Sequence, residues 1–416
     1  MNILYIEHYA GSPEMGMEFR PYYLSREWVK MGHNVRIVAG DFSHLRGKNP
    51  NVSEDFQNEV IDGITYTWIK TGTYSGNGVA RAKTMFRFVE KLRQKADWIA
   101  KEWQPDVIIT SSTYPLDTYA GQKIRAACRK NGKKALLIHE VHDMWPITLI
   151  EIGGMQKNNP FVMLMQQGEN SFCKHSDRVV SLLCAAKDYF VEHGMAPDKF
   201  RVVMNGVVLE EWEHPTALPE EHEKVLSELR KDGKFIVGFF GSVTKSYSVD
   251  YLLEAAKKTA DDRVAIVIVG EGNQKEELMK QAGDRLGKSI FFLPRIPKTA
   301  IPTLMEAIDC CYVGALKNDM FRFGICMNKL FDSMMSGKPI LHAVEAPNNF
   351  IRDYKCGISV EAENADALAD GLKEMLALSE EERAQMGKNG RNAVLENFTY
   401  EKLAKQFVEI MEEGLA

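Results

Sequence analysis

The sequence predicts an α/β protein of two doubly wound parallel-sheet domains. Three observations carry this. The chain has 416 residues, too many for one small module at roughly 150 residues per domain. Its composition, 45% hydrophobic and 26% charged, supplies a large core and excludes collagen-like, coiled-coil and disordered chains. Short β-rich runs alternate with segments of helical period, and the alternation dissolves once and restarts.

In the first half, strands are expected near residues 2–6, 34–39, 64–69, 105–111, 134–141, 178–183 and 200–204. Amphipathic stretches separate most of them, which is the β-α-β rhythm of a parallel sheet. Residues 210–234 are polar and acidic, contain Pro215 and Pro219, and are expected to connect the domains. The rhythm resumes with strands at 235–240, 264–269, 289–293, 310–314, 339–344 and 357–360. From Ser379 to Ala416 no strand signal remains, and two or three helices are expected. The domains are accordingly placed at 1–207 and 208–398, with a last helix near 399–416 able to return to the first. No repeat of about 20–50 residues is present, which excludes solenoids and propellers.

The formal charge is -5. Residues 1–200 carry 25 basic and 22 acidic side chains, and the remainder 27 and 35, so basic character gathers in the first half. With a negative total and no aromatic RNA-binding motif, nucleic acid is not an expected partner. Most of the seven scattered cysteines, which form no Cys-x-x-Cys pair, are expected to be buried thiols in a reducing compartment. No run approaches the roughly 18–20 apolar residues that span a bilayer, and the chain opens on Asn2, Ile3, Leu4, Tyr5 and Ile6 without a basic leader. A cytoplasmic protein is expected.

In doubly wound sheets ligands lie beyond the carboxyl ends of strands. After the first strand a turn ending at Gly16 leads into a helix with Arg20, Tyr23 and Arg26. Such a turn lets backbone N–H groups approach an anion; the alternative is a plain turn before solvated arginines. The spacing is not Gly-x-Gly-x-x-Gly, so a nicotinamide fingerprint is unsupported. The first strand of the second domain ends in Gly241, Ser242 and, three residues on, Lys245. Gly241 admits close backbone approach, and Lys245 either offsets a diphosphate's charge or is simply solvated.

The densest signal runs from Phe323 to Ile340. A glycine turn leads into a helix carrying Lys329, placed for a phosphate, and Asp332, placed for a ribose diol; the alternative is a surface Lys–Asp pair. Residues 139–146 put His139, Glu140, His142, Asp143, Trp145 and Pro146 at a strand end. No His, Cys and Asp cluster has metal-ligand spacing, so lysines and helix termini are expected to neutralise a diphosphate with no metal and no cofactor. Arg81, Lys83, Arg87, Lys91, Arg93 and Lys95 punctuate an amphipathic stretch, which either lies on an anionic membrane surface or packs on its own sheet. The apolar run 161–165 is either core or faces a lipid-linked acceptor.

These residues resemble the GT-B glycosyltransferases of retaining family 4. Gly337, Lys338, Pro339 and Ile340 match the family's Gly-Lys-Pro-(Val/Ile) run, which two glutamates eight residues apart precede; here the second is Asp332 and the first is Gly324. Asn328 to Asp332 resembles the Asn-Lys-Leu-Phe-(Glu/Asp) run of a branch that includes N-acetylfucosaminyl and related deoxyamino-sugar transferases of bacterial surface polysaccharides. The stretches 18–26, 143–155 and 205–207 resemble that branch too, and the likeness covers nearly the whole chain. The resemblance implies two Rossmann-like domains facing a central cleft. It implies a UDP-sugar donor whose base lies near Arg295 and Ile296, whose diphosphate meets Met327, Asn328 and Lys329, and whose sugar meets His142 or Asp143. It places Arg20, Tyr23 and Trp145 on the acceptor side. The acceptor it implies is lipid-linked (polyprenyl diphosphate) or an oligosaccharide, met by an enzyme in the cytoplasm or peripheral on the inner membrane face. A sugar-nucleotide epimerase and a catalytically silent scaffold, the latter suggested by Gly324, are the rival readings.

Overall fold

The computed structural model describes residues 1–17 and 19–416. Glu18, the first residue of the 18–26 stretch, lies outside the described residues. The chain divides into two compact units, 1–204 with 400–416, and 205–399.

The first unit opens with β1 (Asn2–Ile6), α1 (Phe19–Lys30) and β2 (Asn34–Gly40). Next come β3 (Gln57–Ile61), β4 (Ile64–Ile69), α2 (Val79–Gln94), α3 (Ala96–Glu102) and β5 (Val107–Thr110). Then follow α4 (Thr118–Lys130), β6 (Leu136–Val141), α5 (Ile147–Glu151), α6 (Pro160–His175), β7 (Arg178–Ser181), α7 (Lys187–Glu192) and β8 (Phe200–Val202). The eight strands run in the order β3-β4-β2-β1-β5-β6-β7-β8. Every pairing is parallel except β3 with β4. Strand order reverses between β1 and β5, so the crevice for a ligand in this sheet opens past Ile6 and Thr110.

The second unit contains α8 (Leu209–Glu213), α9 (Glu220–Lys231), β9 (Phe235–Phe240), α10 (Val249–Thr259), β10 (Val264–Val269) and α11 (Lys275–Ala282). It continues with β11 (Ile290–Leu293), α12 (Ile301–Glu306), β12 (Cys310–Gly314), α13 (Asn328–Met335), β13 (Ile340–Ala343) and α14 (Phe350–Asp353). It ends with β14 (Gly357–Ser359), α15 (Ala365–Ala377) and α16 (Glu380–Asn397). All pairings in its sheet, β11-β10-β9-β12-β13-β14, are parallel, and the switch point lies between β9 and β12. These strands are continuous apolar runs, Val264–Val269 being buried throughout, as a sheet covered on both faces requires.

The expected α/β class and parallel sheets are present. Two expectations change. The polar stretch 210–234 is not a connection: α8 and α9 together occupy most of it, with His222, Leu226 and Leu229 of α9 buried on one face. Its many charges sit on the other face, and composition hid the spacing of the three buried residues. Strand β3 was not expected, because as an exposed antiparallel edge its residues show no apolar alternation. The Asp62-Gly63 pair between β3 and β4 is the hairpin signal that would have found it.

After α16 the chain crosses back and α17 (Tyr400–Leu415) packs on α1 in the first unit. The Trp28 indole N–H donates to the Ala404 carbonyl at 3.0 Å, and the Phe407 ring lies 5.3 Å from that of Trp28.

Candidate functional site

In the first unit the candidate site forms where β1, β5 and β6 end. Along β6 the side chains alternate between faces, which sends His139 one way and Glu140 the other. His139 is buried, bonded to Thr110 Oγ1 at 2.7 Å and stacked on Phe172; burial pushes it down to about 3. It is a neutral core histidine.

Glu140 is fully buried and accepts from four side chains. Arg20 reaches it at 2.8 Å, Ser111 Oγ at 2.6 Å and His142 Nε2 at 3.0 Å, and the Tyr5 hydroxyl also donates. Burial alone would raise this carboxyl, but Arg20 and His142 outweigh it and hold it well below the usual carboxylate range. Because the carboxylate can only accept, it fixes the proton of His142 on Nε2. Nδ1 is then the acceptor nitrogen of a ring whose orientation Ser111 (2.8 Å) also holds. His142 is the partly exposed end of this chain, with a side-chain exposure of 12%. Asp143 beside it is exposed, with the His142 ring and the Arg81 guanidinium nearby.

Sequence reasoning missed the role of Glu140. The signal was available, since a glutamate inside the apolar strand Leu-Leu-Ile-His-Glu-Val must be paired to be buried.

Three other expectations are corrected by geometry. Arg20 is 6% exposed and bonded to Glu140 and to the carbonyls of Val203 (2.8 Å) and Met204 (2.6 Å). Tyr23 is 2% exposed, its ring 4.9 Å from that of Tyr400. Both lie on the inward face of α1 and hold the unit together instead of meeting an acceptor. The backbone N–H of Gly16 closes its own turn on Ser12 and Pro13 and is not offered to an anion. Trp145 remains partly exposed and packs on Phe161 at 6.2 Å between centroids.

The basic stretch 81–95 also turns largely onto its own unit. Arg81 donates to the Tyr9 hydroxyl (3.2 Å) and to Asn77 (2.6 Å), Arg87 to the Thr71 carbonyl (2.9 Å), and Lys91 pairs with Asp55 (2.6 Å).

In the second unit the first turn after β9 and the start of α13 come together. Gly241 has φ +118, a conformation L side chains rarely adopt, and a Cβ there would stand 3.3 Å from Lys329 Nζ. Ser242 and Lys245 are exposed on the same turn. Lys329 is the second residue of α13, a helix whose Met327 cap makes no side-chain bond to its first turn. Its nitrogen is buried without a hydrogen-bond partner, 3.1 Å from the centroid of the Tyr247 ring and 4.2 Å from that of Phe239. Burial pushes Lys329 down to about 7.

Asp332, expected on the same face as Lys329, is half-buried and set against Lys298 and Glu211, which pair at 2.8 Å. Burial raises it to about 6. The alternative of a surface Lys329–Asp332 pair therefore falls. Arg295 is exposed and Ile296 half-buried in the loop after β11, which His222 Nε2 anchors at the Pro294 carbonyl (2.9 Å). Gly324 has φ +101, so the backbone itself disfavours a glutamate there. Among the described residues no group of three His, Cys, Asp or Glu side chains is arranged to hold a metal ion. Among them, too, no helix is long and apolar enough to cross a membrane.

Comparison with known proteins accounts for both units. Residues 15–211 match the family described as Glycosyltransferase Family 4, and residues 221–393 match Glycosyl transferases group 1. A glycosyl transferase of Escherichia coli named for colanic acid biosynthesis, WcaI, is 22% identical over 282 residues, 67% of this chain and 68% of its own. The fold matches sucrose-phosphate synthase from Thermosynechococcus elongatus (TM-score 0.71, 15% identity, 99% of each chain). It also matches Anabaena HepE solved with UDP and glucose (TM-score 0.65, 17% identity, 99% of each chain). The switch-point geometry of both sheets and these matches agree, and the chain belongs to glycosyltransferase family 4, retaining enzymes of the GT-B fold.

Proposed function

We propose that this enzyme transfers a sugar from a UDP-sugar, with retention, to a lipid-linked or oligosaccharide acceptor in the assembly of a bacterial surface polysaccharide. One observation carries the donor half: Lys329 Nζ, a buried cation without a hydrogen-bond partner, stands beside Gly241 at the uncapped start of α13. A buried ammonium in that state is costly unless a ligand supplies the anion, and the free N–H groups of a helix start favour the same charge. The diphosphate then lies against Gly241, Ser242, Lys245, Met327, Asn328 and Lys329. Asp332 takes the ribose, and Arg295 and Ile296 take the base. Anabaena HepE, solved in complex with UDP and glucose, supports UDP as the nucleotide. WcaI, named for colanic acid biosynthesis, supports the polysaccharide setting.

In the reaction, the bond from the anomeric carbon to UDP breaks with its electron pair on the diphosphate oxygen. The acceptor hydroxyl bonds to that carbon from the same face, and its proton passes to the departing oxygen. His142, aimed by Glu140 and Ser111, and Asp143 position the donor sugar, and Trp145 lies on the acceptor side. Lysines and the helix start take the leaving group's charge without a divalent metal. The fixed φ at Gly324 leaves the sugar pocket without one carboxylate, and a deoxy or N-acetylated aminosugar has fewer hydroxyls to leave unpaired there, each costing about 1–3 kcal/mol. The enzyme works in the cytoplasm, at most peripheral on the membrane.

Titration calorimetry with UDP, then transfer assays with a panel of UDP-sugars, tests this. UDP binding that Lys329→Met weakens at least tenfold, and turnover of UDP-N-acetyl-6-deoxyhexosamines above UDP-glucose, are expected. Unchanged UDP affinity in the variant overturns the diphosphate assignment. An isomerised nucleotide sugar as the sole product makes the protein an epimerase, and no product from any donor makes it a scaffold.

A further inference from the structure

Tyr247 closes the turn that follows β9. Lys245–Tyr247 form a single 3-10 turn, in which the N–H groups of Tyr247 and Ser248 return to the carbonyls of Thr244 (3.2 Å) and Lys245 (3.1 Å). The chain leaves it through Ser248, whose φ of +51 is left-handed, a conformation that a residue with a side chain keeps only where its surroundings impose it. Here they do. On one side of Tyr247 the Ser246 carbonyl accepts from the Leu316 N–H at 3.1 Å, and on the other the Ser248 carbonyl accepts from the buried Tyr312 hydroxyl at 2.9 Å. Tyr312 lies on β12 and Leu316 just beyond it, so the turn is pinned across the switch point of the sheet on both flanks of Tyr247, and the ring has a fixed place.

That place is over Lys329. The Tyr247 ring centroid stands 3.1 Å from Nζ, and that of the buried Phe239 on β9 stands 4.2 Å away; the two rings lie 6.1 Å apart, inclined at 53°. A ring face attracts an ammonium weakly, but it neither hydrates the nitrogen nor replaces a carboxylate, and Nζ stays buried without a hydrogen-bond partner. Gly241 adds no side chain there, since a Cβ would come 3.3 Å from Nζ. Lys245 of the turn is exposed and Asp332 of α13 is set against Lys298 and Glu211; burial alone lowers Lys329, to about 7. Tyr247 is itself pushed up by burial, so it stays neutral where Lys329 titrates.

We propose that Tyr247 is a positioning residue for the donor diphosphate: its pinned ring, with that of Phe239, holds the Lys329 nitrogen beside Gly241 and out of water, so that an anion arriving there displaces ring contacts instead of a hydration shell. This rests on the reading that Lys329 meets the diphosphate. The consequence is a proton. A lysine kept dry is partly neutral near pH 7, whereas the anion binds the charged form, so donor binding takes up a proton and weakens as pH rises. A lysine opened to water is charged beforehand and loses that dependence.

Two measurements on the full chain test it, with Tyr247→Phe, which keeps the ring, Tyr247→Ser, which admits water, and Tyr247→Gln, which keeps bulk but offers a carbonyl. The first is the titration of Lys329 in the free protein, followed by NMR of 13C-labelled lysine, its signal being the one that Lys329→Met lacks. It should titrate near 7 in wild type and Tyr247→Phe, and about two pH units higher or more in the Ser and Gln variants. The second is calorimetry with UDP. From about pH 7.5 to 8.5 the affinity should fall about fivefold or more in wild type and Tyr247→Phe, and stay within about twofold in the other two. A wild-type Lys329 that titrates in the ordinary lysine range overturns the proposal, as does a titration that moves in neither Tyr247→Ser nor Tyr247→Gln. If the titration follows the variants while Lys329→Met leaves UDP affinity unchanged, the donor reading falls and takes this role with it. If UDP affinity needs Lys329 but its titration ignores Tyr247, the role of Tyr247 alone falls.

Discussion

In the first unit the buried Glu140 carboxylate meets four donors, whereas in the second the buried Lys329 nitrogen meets two aromatic faces and no acceptor. Glu140 lies one strand from the first sheet's switch point, bonded to Tyr5 and Ser111 there, and Lys329 lies beside Gly241 at the end of β9, so the fold alone does not explain the contrast. A satisfied network spends its charge on geometry: Glu140 orients His142 and ties α1 to β6 and to the chain leaving β8. An unsatisfied cation is a standing cost in the empty protein and an attraction once an anion arrives. The first unit thus fixes the orientation of a side chain, and the second leaves a buried nitrogen without an acceptor.

Removing the satisfied charge should have the largest effect. Glu140→Ala leaves the Arg20 guanidinium buried without its carboxylate and should lower stability by about 3–5 kcal/mol, read by denaturant unfolding. A loss below about 1 kcal/mol would mean that Arg20 relaxes to other partners and that the network does not hold the unit.

Lys329→Met inverts that behaviour. Stability should hold or rise, while UDP binding weakens by about 1.5–3 kcal/mol, the worth of a charge-assisted contact. The pH dependence sharpens the sign. Burial lowers the folded pKa of Lys329 to about 7 from an ordinary 10.5, so between those values the unfolded chain binds more protons than the folded one. Stability therefore gains from this group as pH rises through that window, and the penalty is fully present below it. Wild type should show this gain and Lys329→Met should lack it. UDP binding draws the proton back, so calorimetry at about pH 8, inside that window, in buffers of different ionisation enthalpy should show proton uptake that the variant abolishes.

His142→Ala touches only the aimed end of the network. Turnover should fall tenfold or more, about 1.4 kcal/mol, with UDP affinity within twofold. A parallel loss of UDP affinity would place His142 in donor binding instead. Asp332→Ala should weaken UDP and uridine several-fold and leave diphosphate alone untouched, measured by competition; equal losses for all three would show that α13 itself had moved. Chelation should have the smallest effect, leaving transfer within twofold of its starting rate, and a loss restored by magnesium or manganese would show that the lysines do not suffice.

What the sequence by itself determined is local in origin. The alternation of apolar runs with helical-period segments gave both parallel sheets, because burial on both faces writes itself into consecutive residues. The glycine after β9 and the Lys329-to-Asp332 spacing were legible because a strand-to-helix corner is made by neighbours in the chain. Tertiary structure decided the rest. Arg20 and Glu140 are 120 residues apart and Tyr5 and Glu140 are 135 apart, so the apolar strand around Glu140 announces a paired carboxylate but not the distant partners that take Arg20 away from an acceptor and give His142 its orientation. Lys329 and Asp332, three residues apart, face Tyr247 and Lys298 respectively and not each other. The physical reason is one of range: backbone period and turn chemistry are fixed within a few residues, while the environment of a charge is fixed by whichever distant segment the fold places against it.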